Sequence, residues 1–258
     1  MIPSRRHLTD DVLTVGARYA LVLAGECAVR AHGLGPAPRR ETPAPEAGAE
    51  PLELPGGDDG WARRRRQPRR PRPLELATQT AEPMDRVAAV LRAGLAERGW
   101  EVRPVETDPL SARLLVTDPD TGEERTVDVV KETFWRPPVT TGLGPALALE
   151  DVIGTKVRAL ADRGTARDVV DVYLAAPGWT FPDLEEQGRR HAWDAFDPAD
   201  LQSRLEATDL LDDREFTARG LPEDAAPALR RWLRAWADDI AERLLEEEAL
   251  RPPPESEE

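Results

Sequence analysis

Apolar residues along the chain recur with two periods, and the change from one to the other marks out the elements. Thr9 to Arg18 follows a Thr-Asp-Asp cap signal and reads as a helix, Tyr19 to Ala24 is a short apolar run of β type, and Gly25 to His32 restarts a helix directly after a glycine. Leu74 to Thr78 is a short strand. Met84, Val87, Val90, Leu91 and Leu95 then fall at helical spacing and predict a helix from Pro83 to Arg98, with proline suited to its first turn. Strands are predicted at Trp100 to Val105, Leu110 to Thr117 and Arg125 to Lys131, the last two joined by the turn-rich hairpin connection DPDTGE. Beyond that the period is helical. Leu149, Val152, Ile153, Val157 and Leu160 form one stripe, a second helix carries RDVVDVY, and further helices span Phe181 to Trp193, Pro198 to Ala207 and Glu223 to about Glu248. In the last of these, Leu229, Leu233, Trp236, Ile240 and Leu244 read as a core stripe. Trp232 and Trp236 could instead stack on bases, but core packing is the simpler reading.

Two stretches break the pattern. From Gly35 to about Arg70, PAPRRETPAPEAGAE and PGGDDG lead into a run of arginines with little to bury, which predicts a flexible insertion, and RPPPESEE predicts a disordered tail. The expected organisation is therefore an α+β core made of residues 1–34 and 73–148, an insertion over 35–72, a helical C-terminal region over 149–249 and a tail over 250–258.

Composition narrows the classes. A chain of 258 residues is long enough to bury a sizeable core without staples, and Cys27, its only cysteine, excludes an intramolecular disulfide and a cysteine-built zinc site. The longest apolar run, Tyr19 to Ala24, is far too short to span a bilayer, and MIPSRRHLTDD lacks the apolar region of a signal peptide, so a soluble cytoplasmic protein with no membrane partner is expected. The formal net charge of −14 argues against nucleic-acid binding through the general surface. Arg63, Arg64, Arg65, Arg66, Arg69, Arg70 and Arg72 form a local exception: a solvated charge run, or an arm that contacts a polynucleotide.

The candidate chemistry lies between Leu149 and Tyr173. Lys156 is one of only two lysines, the other being Lys131, in a chain that otherwise uses arginine. An ammonium is a compact point charge suited to phosphate, although Lys156 could also lie along the edge of its helix with its head in water. Arg167 and Asp171, four apart, are either an ordinary surface pair or part of a site. On the strand TVDVV, alternation points Asp128 and Val130 away from the side of Val127 and Val129, so Asp128 faces either water or a cation.

The segments LVLAGECAVRAHGL (21–34), RPLELATQTAEPMDRV (72–87), RTVDVVKETFWRPPV (125–139) and LEDVIGTKVRALADRGTARDVVDVYLA (149–175) together resemble the nucleotidyltransferase toxins of the AbiEii/AbiGii family. The last is the most specific, with Lys-x-x-Ala-Leu-x-x-Arg followed by Arg-Asp-x-x-Asp. The resemblance implies a nucleotidyltransferase-like mixed β-sheet with flanking helices. It also implies an NTP substrate, Mg²⁺ or Mn²⁺ as cofactor, RNA (tRNA) or protein as acceptor, and a cognate antitoxin as partner. Gly25 matches the turn glycine, Asp128 the third metal carboxylate, Lys156 the triphosphate-facing lysine, and Arg167, Asp168 and Asp171 the terminal signature. In this alignment Glu75 and Asp128 are the metal ligands, Gly25, Glu26, Lys156 and Arg167 the nucleotide-binding set, and Asp128, Lys156, Asp168 and Asp171 the catalytic set. Two positions depart from the pattern. Glu26 stands where a second small residue is expected, and Pro73-Leu74-Glu75 stands where Asp-x-Asp is expected, so a silent member that binds a nucleotide, RNA or protein is the alternative.

Overall fold

The computed structural model describes residues 7–34, 72–192 and 195–250. Its elements are α1 (Leu8–Gly16), β1 (Val22–Leu23), α2 (Gly25–Ala31), β2 (Leu74–Thr78), α3 (Met84–Glu97), β3 (Glu101–Thr107), β4 (Ser111–Thr117), β5 (Glu124–Lys131), β6 (Val139–Thr141), β7 (Gly144–Ala146), α4 (Leu149–Arg163), α5 (Ala166–Ala175), α6 (Phe181–Ala192), α7 (Pro198–Ala207), α8 (Asp213–Ala218) and α9 (Ala226–Leu250). The fold is α+β, with one mixed sheet of seven strands among the described residues, in the order β3-β4-β5-β2-β1-β7-β6. β2 runs parallel to β5 and antiparallel to β1, which is itself parallel to β7.

Alternation along the strands assigns the two faces of the sheet. Leu74 and Leu76 on β2 lie beside Val127 and Val129 on β5, and these beside Leu114 and Ala112 on β4. All six are buried in one apolar core with Val12 of α1 and with Val87, Leu91 and Leu95 of α3. That stripe on α3 is the reason its sequence forms an amphipathic helix. The residues between them form a row on the opposite face: Arg113 opposes Asp128, and Asp128 opposes Glu75. This polar row faces α4 and α5.

The helical region has its own core, in which Ile153, Val157 and Leu160 of α4 pack with Val169, Leu184, Leu201, Phe216, Leu229, Leu233, Trp236 and Ile240. Phe181 stacks on Trp236 with ring centroids 5.6 Å apart, and Trp232 meets Tyr173 edge-on at 5.4 Å, so both tryptophans serve packing. α4 joins the two cores, since Val152 packs in the sheet core and Ile153 in the helical one.

Local departures from the expected elements have local causes. The run Tyr19 to Ala24 yields a strand of only two residues, because a 3₁₀ turn at Ala17–Tyr19 and the left-handed Ala20, at φ 49°, come first. The β6–β7 hairpin at the sheet edge and the short α8 lack a periodic apolar pattern long enough to announce them. Most of the expected insertion (35–71), including the arginines from 63 to 70, the tail after Leu250 and Trp193 lie outside the described residues. Among the described residues, no helix is long and apolar enough to cross a membrane.

Candidate functional site

The polar row of the sheet meets α5 above it. Gly25 opens α2 at φ 52°, and a Cβ added there would run into the Glu75 carboxylate, so glycine is required both by the backbone and by its neighbour. The turn brings the Glu26 backbone N–H to Glu75 Oε2 at 2.6 Å, while the Ala24 N–H bonds the Glu75 carbonyl at 2.9 Å. The Glu26 side chain turns toward Arg72, with which it forms an ion pair. The negative charge at this turn is thereby met by a cation.

Glu75 Oε1 accepts from Arg167 Nη2 at 2.7 Å. Asp128 accepts twice from Arg113, at 2.7 Å from Nε and 3.3 Å from Nη2. The cation facing Asp128 is therefore a guanidinium delivered by the neighbouring strand. Lys156 lies in α4 with its side chain only 8% exposed, and its ammonium donates to Asp171 Oδ2 at 2.7 Å. Arg167 Nε approaches the same Asp171 oxygen at 3.8 Å. Arg167 thus links the Glu75 end of the row to the Lys156–Asp171 pair. Burial lowers the Arg167 pKa, but the adjacent Glu75 and Asp171 carboxylates outweigh this and hold it above the ordinary arginine value. The hydrogen bond and charge of Asp128 raise that of Arg113.

Five of the expected site residues come together in this way: Glu75, Asp128, Lys156, Arg167 and Asp171. Gly25 and Glu26 contribute backbone. Asp168, by contrast, accepts from Thr165 N–H and Oγ1 in a capping box at the start of α5, and from Arg163 Nη2 at 2.5 Å. Of the two aspartates in the motif, Asp171 is therefore the one that holds the lysine. Asp168 sets the helix that carries Arg167 and Asp171.

A recess of about 420 Å³ opens over Gly25, Glu75, Lys156, Arg163 and Arg167. A wider one of about 820 Å³ continues past Arg30, Arg72, Arg103 and Arg219. Arg113, Asp128, Arg167 and Asp171 line both and form the neck between them. Arg113 is the site residue absent from the sequence expectations. A signal for it existed: the hairpin connection fixes Thr117 opposite Glu124, and counting back along both strands puts Arg113 opposite Asp128.

A second ionic cluster adjoins the recess, whose wall includes Glu132 and Arg158. His191 on α6 places Nε2 3.1 Å from Asp151 Oδ1 and Nδ1 3.4 Å from Glu132 Oε1. Arg158 donates to both Glu132 oxygens, at 3.2 and 2.8 Å, and to the His191 carbonyl at 3.0 Å. Asp151 also accepts the backbone N–H groups of Trp135 and Arg136. Burial lowers the His191 pKa, but the two carboxylates more than restore it and leave it raised. Burial raises that of Glu132, and His191 with Arg158 bring it below the ordinary value.

JHP933 from Helicobacter pylori is 15% identical, with 95% of each chain covered and a TM-score of 0.47. MenT4, a nucleotidyltransferase toxin from Mycobacterium tuberculosis H37Rv, is 13% identical, with 88% of this chain and 90% of that chain covered and a TM-score of 0.44. No curated protein matches. Residues 143–241 match the family model described as nucleotidyl transferase AbiEii toxin, Type IV TA system. The matched span holds Lys156, Arg167, Asp168 and Asp171, whereas Gly25, Glu75, Arg113 and Asp128 lie before it. The region from β7 to most of α9 is thus similar to the AbiEii nucleotidyltransferase toxin family, the one that the residue pattern resembles.

Proposed function

We propose that this chain is a toxin-type nucleotidyltransferase-like protein whose cleft receives the triphosphate of an NTP. The observation that carries this reading is the convergence, across strands and helices far apart in sequence, of Lys156, Arg167 and Arg113 on one recess above the sheet. Guanidinium groups match phosphate oxygens with paired donors, and the ammonium adds a point charge. Asp171 orients Lys156, Glu75 orients Arg167 and Asp128 orients Arg113, so the three cations are positioned before any anion arrives.

The family match supports a nucleotidyltransferase toxin with a cognate antitoxin as partner, and transfer of the nucleotidyl group to a hydroxyl of RNA, tRNA or protein is the reaction proposed with it. Mg²⁺ takes hard oxygen ligands in octahedral geometry. Glu75 and Asp128 stand side by side, but each is already clamped by a guanidinium, and no group of three or more His, Cys, Asp or Glu able to hold a metal ion occurs among the described residues. That donor set does not fit a resident Mg²⁺ or Mn²⁺ ion. The same pairing favours the second reading, a silent fold that binds nucleotide, RNA or protein without transfer.

Incubation with each labelled NTP, divalent metal and total tRNA, beside Asp128→Ala, separates the two. Label appearing on RNA or protein with the parent and not with the variant supports transfer. Calorimetric NTP binding without any transfer supports the silent module. If Lys156→Ala binds NTP as tightly as the parent, the cleft is not the nucleotide site.

A further inference from the structure

The cleft has an order of depth that bears on what it binds. Arg167 is 41% exposed and the Glu75 it holds 19%; Arg113 is 52% exposed and the Asp128 it holds 20%. In both pairs the guanidinium is the outer group and the carboxylate the inner one. A ligand entering the neck therefore meets positive charge first, although the chain as a whole carries −14.

Each of the four carboxylate oxygens also already has a donor on it. Both oxygens of Asp128 accept from Arg113, one oxygen of Glu75 accepts from Arg167, and the other accepts from the Glu26 backbone. The Gly25 turn lies close against this carboxylate, since a Cβ added there would meet Glu75 Oε2. A divalent ion placed among these groups would have to displace two guanidinium ions or sit against them, like charge against like. The arginines have donors to give: a guanidinium carries five N–H groups, and the bond to Glu75 uses one on Arg167 while the bonds to Asp128 use two on Arg113.

We infer that Arg113 and Arg167 occupy the cation position of this cleft, so that it binds a triphosphate without a divalent metal. This rests on the reading of the cleft as a triphosphate site. The step is binding alone: no covalent bond forms or breaks, and the carboxylates stay beneath their arginines while further guanidinium N–H groups donate to the phosphate oxygens. Glu75 and Asp128 act as positioning residues.

Two measurements on the full chain test it. The first is Mn²⁺ titration followed by electron paramagnetic resonance, with no nucleotide present. Free Mn²⁺ signal undiminished by the protein is the expected result, and stoichiometric uptake by the parent overturns the inference while leaving a metal-dependent triphosphate site standing. The second is calorimetry with inorganic triphosphate, in EDTA and then in Mg²⁺. Affinity in EDTA should be equal to that in Mg²⁺ or higher, and the double variant R113Q/R167Q should lose about tenfold or more in EDTA, whereas Arg86→Gln on the far helix should change nothing. Binding about tenfold tighter in Mg²⁺ than in EDTA overturns the inference. Absence of triphosphate binding in both buffers overturns it together with the reading of the cleft. The Mn²⁺ and EDTA arms use the parent chain, so they decide the matter even if the double variant does not fold.

Discussion

Two ionic clusters flank α4, built from the same kinds of group and put to opposite use. Around His191 the ring is 1% exposed, Asp151 1% and Glu132 9%, and each imidazole nitrogen faces a carboxylate. Around Lys156, itself only 8% exposed, the two guanidiniums are on the outside, Arg113 and Arg167 open to the recess and their carboxylates beneath. Water exclusion accounts for the difference. In the closed cluster His191, Asp151 and Glu132 must find their partners within the protein, because an unpaired buried ion is costly. In the open one, the half-exposed guanidiniums keep their carboxylates and still turn N–H groups to solvent. The closed cluster ties the loop after β5, α4 and α6 together, and the open one leaves cations available.

This contrast is broken most strongly at His191. Replacement by Leu should remove both ring contacts, leave Asp151 and Glu132 buried with fewer partners and cost about 3–5 kcal/mol, read as a loss of folding free energy in urea. An unchanged midpoint would show that the cluster adds nothing to the junction of the sheet and the helical region. Gly154 reports on the same place: a Cβ there would strike the His191 ring and the Gln187 carbonyl, so Gly154→Ala should cost about 1–3 kcal/mol through overpacking between α4 and α6, and thermal melting measures it.

At the open cluster the ranking reverses, with a small effect on stability and a large one on binding. Lys156→Ala should lower folding stability by about 1–2 kcal/mol, since Asp171 keeps solvent and Arg167, yet weaken NTP binding about tenfold or more by calorimetry. Equal losses in both would erase the distinction between the clusters.

The pH dependence sharpens the closed cluster further. The folded pKa of His191 is raised above its ordinary 6.5, so its contribution is whole below that value and is lost as pH rises through the folded pKa. The folded pKa of Glu132 lies below its ordinary 4.5, so its contribution is whole above that and is lost as pH falls through the folded pKa. Stability should therefore be greatest between those two ordinary values and fall on the alkaline side, and in His191→Leu the alkaline fall should disappear. Smallest of all, Arg163→Ala should cost well under about 1 kcal/mol, because its guanidinium is 57% exposed and the Thr165 cap still holds Asp168. A chemical melt resolves that limit.

The sequence by itself determined the elements with a clear period and the residues of the helical motif. The α3 stripe, the β4–β5 hairpin and the alternation that buries Val127 and Val129 follow from local sterics and burial alone. So does the four-residue spacing of Arg167 and Asp171. Only the tertiary structure decided what each charged residue faces. That β2 lies parallel to β5, with Glu75 beside Asp128, depends on a crossover through α3 and the β3–β4 ribbon, and no local pattern encodes it. That Arg167 reaches across 92 positions to Glu75 depends on how α5 docks over the sheet. The role of Asp168 as a cap rather than a partner of Lys156 was set by the direction in which α5 begins. A charge's partner is a long-range property, because ion pairs form wherever packing brings opposite charges together. The apolar period of a helix or strand is a property of the segment that carries it.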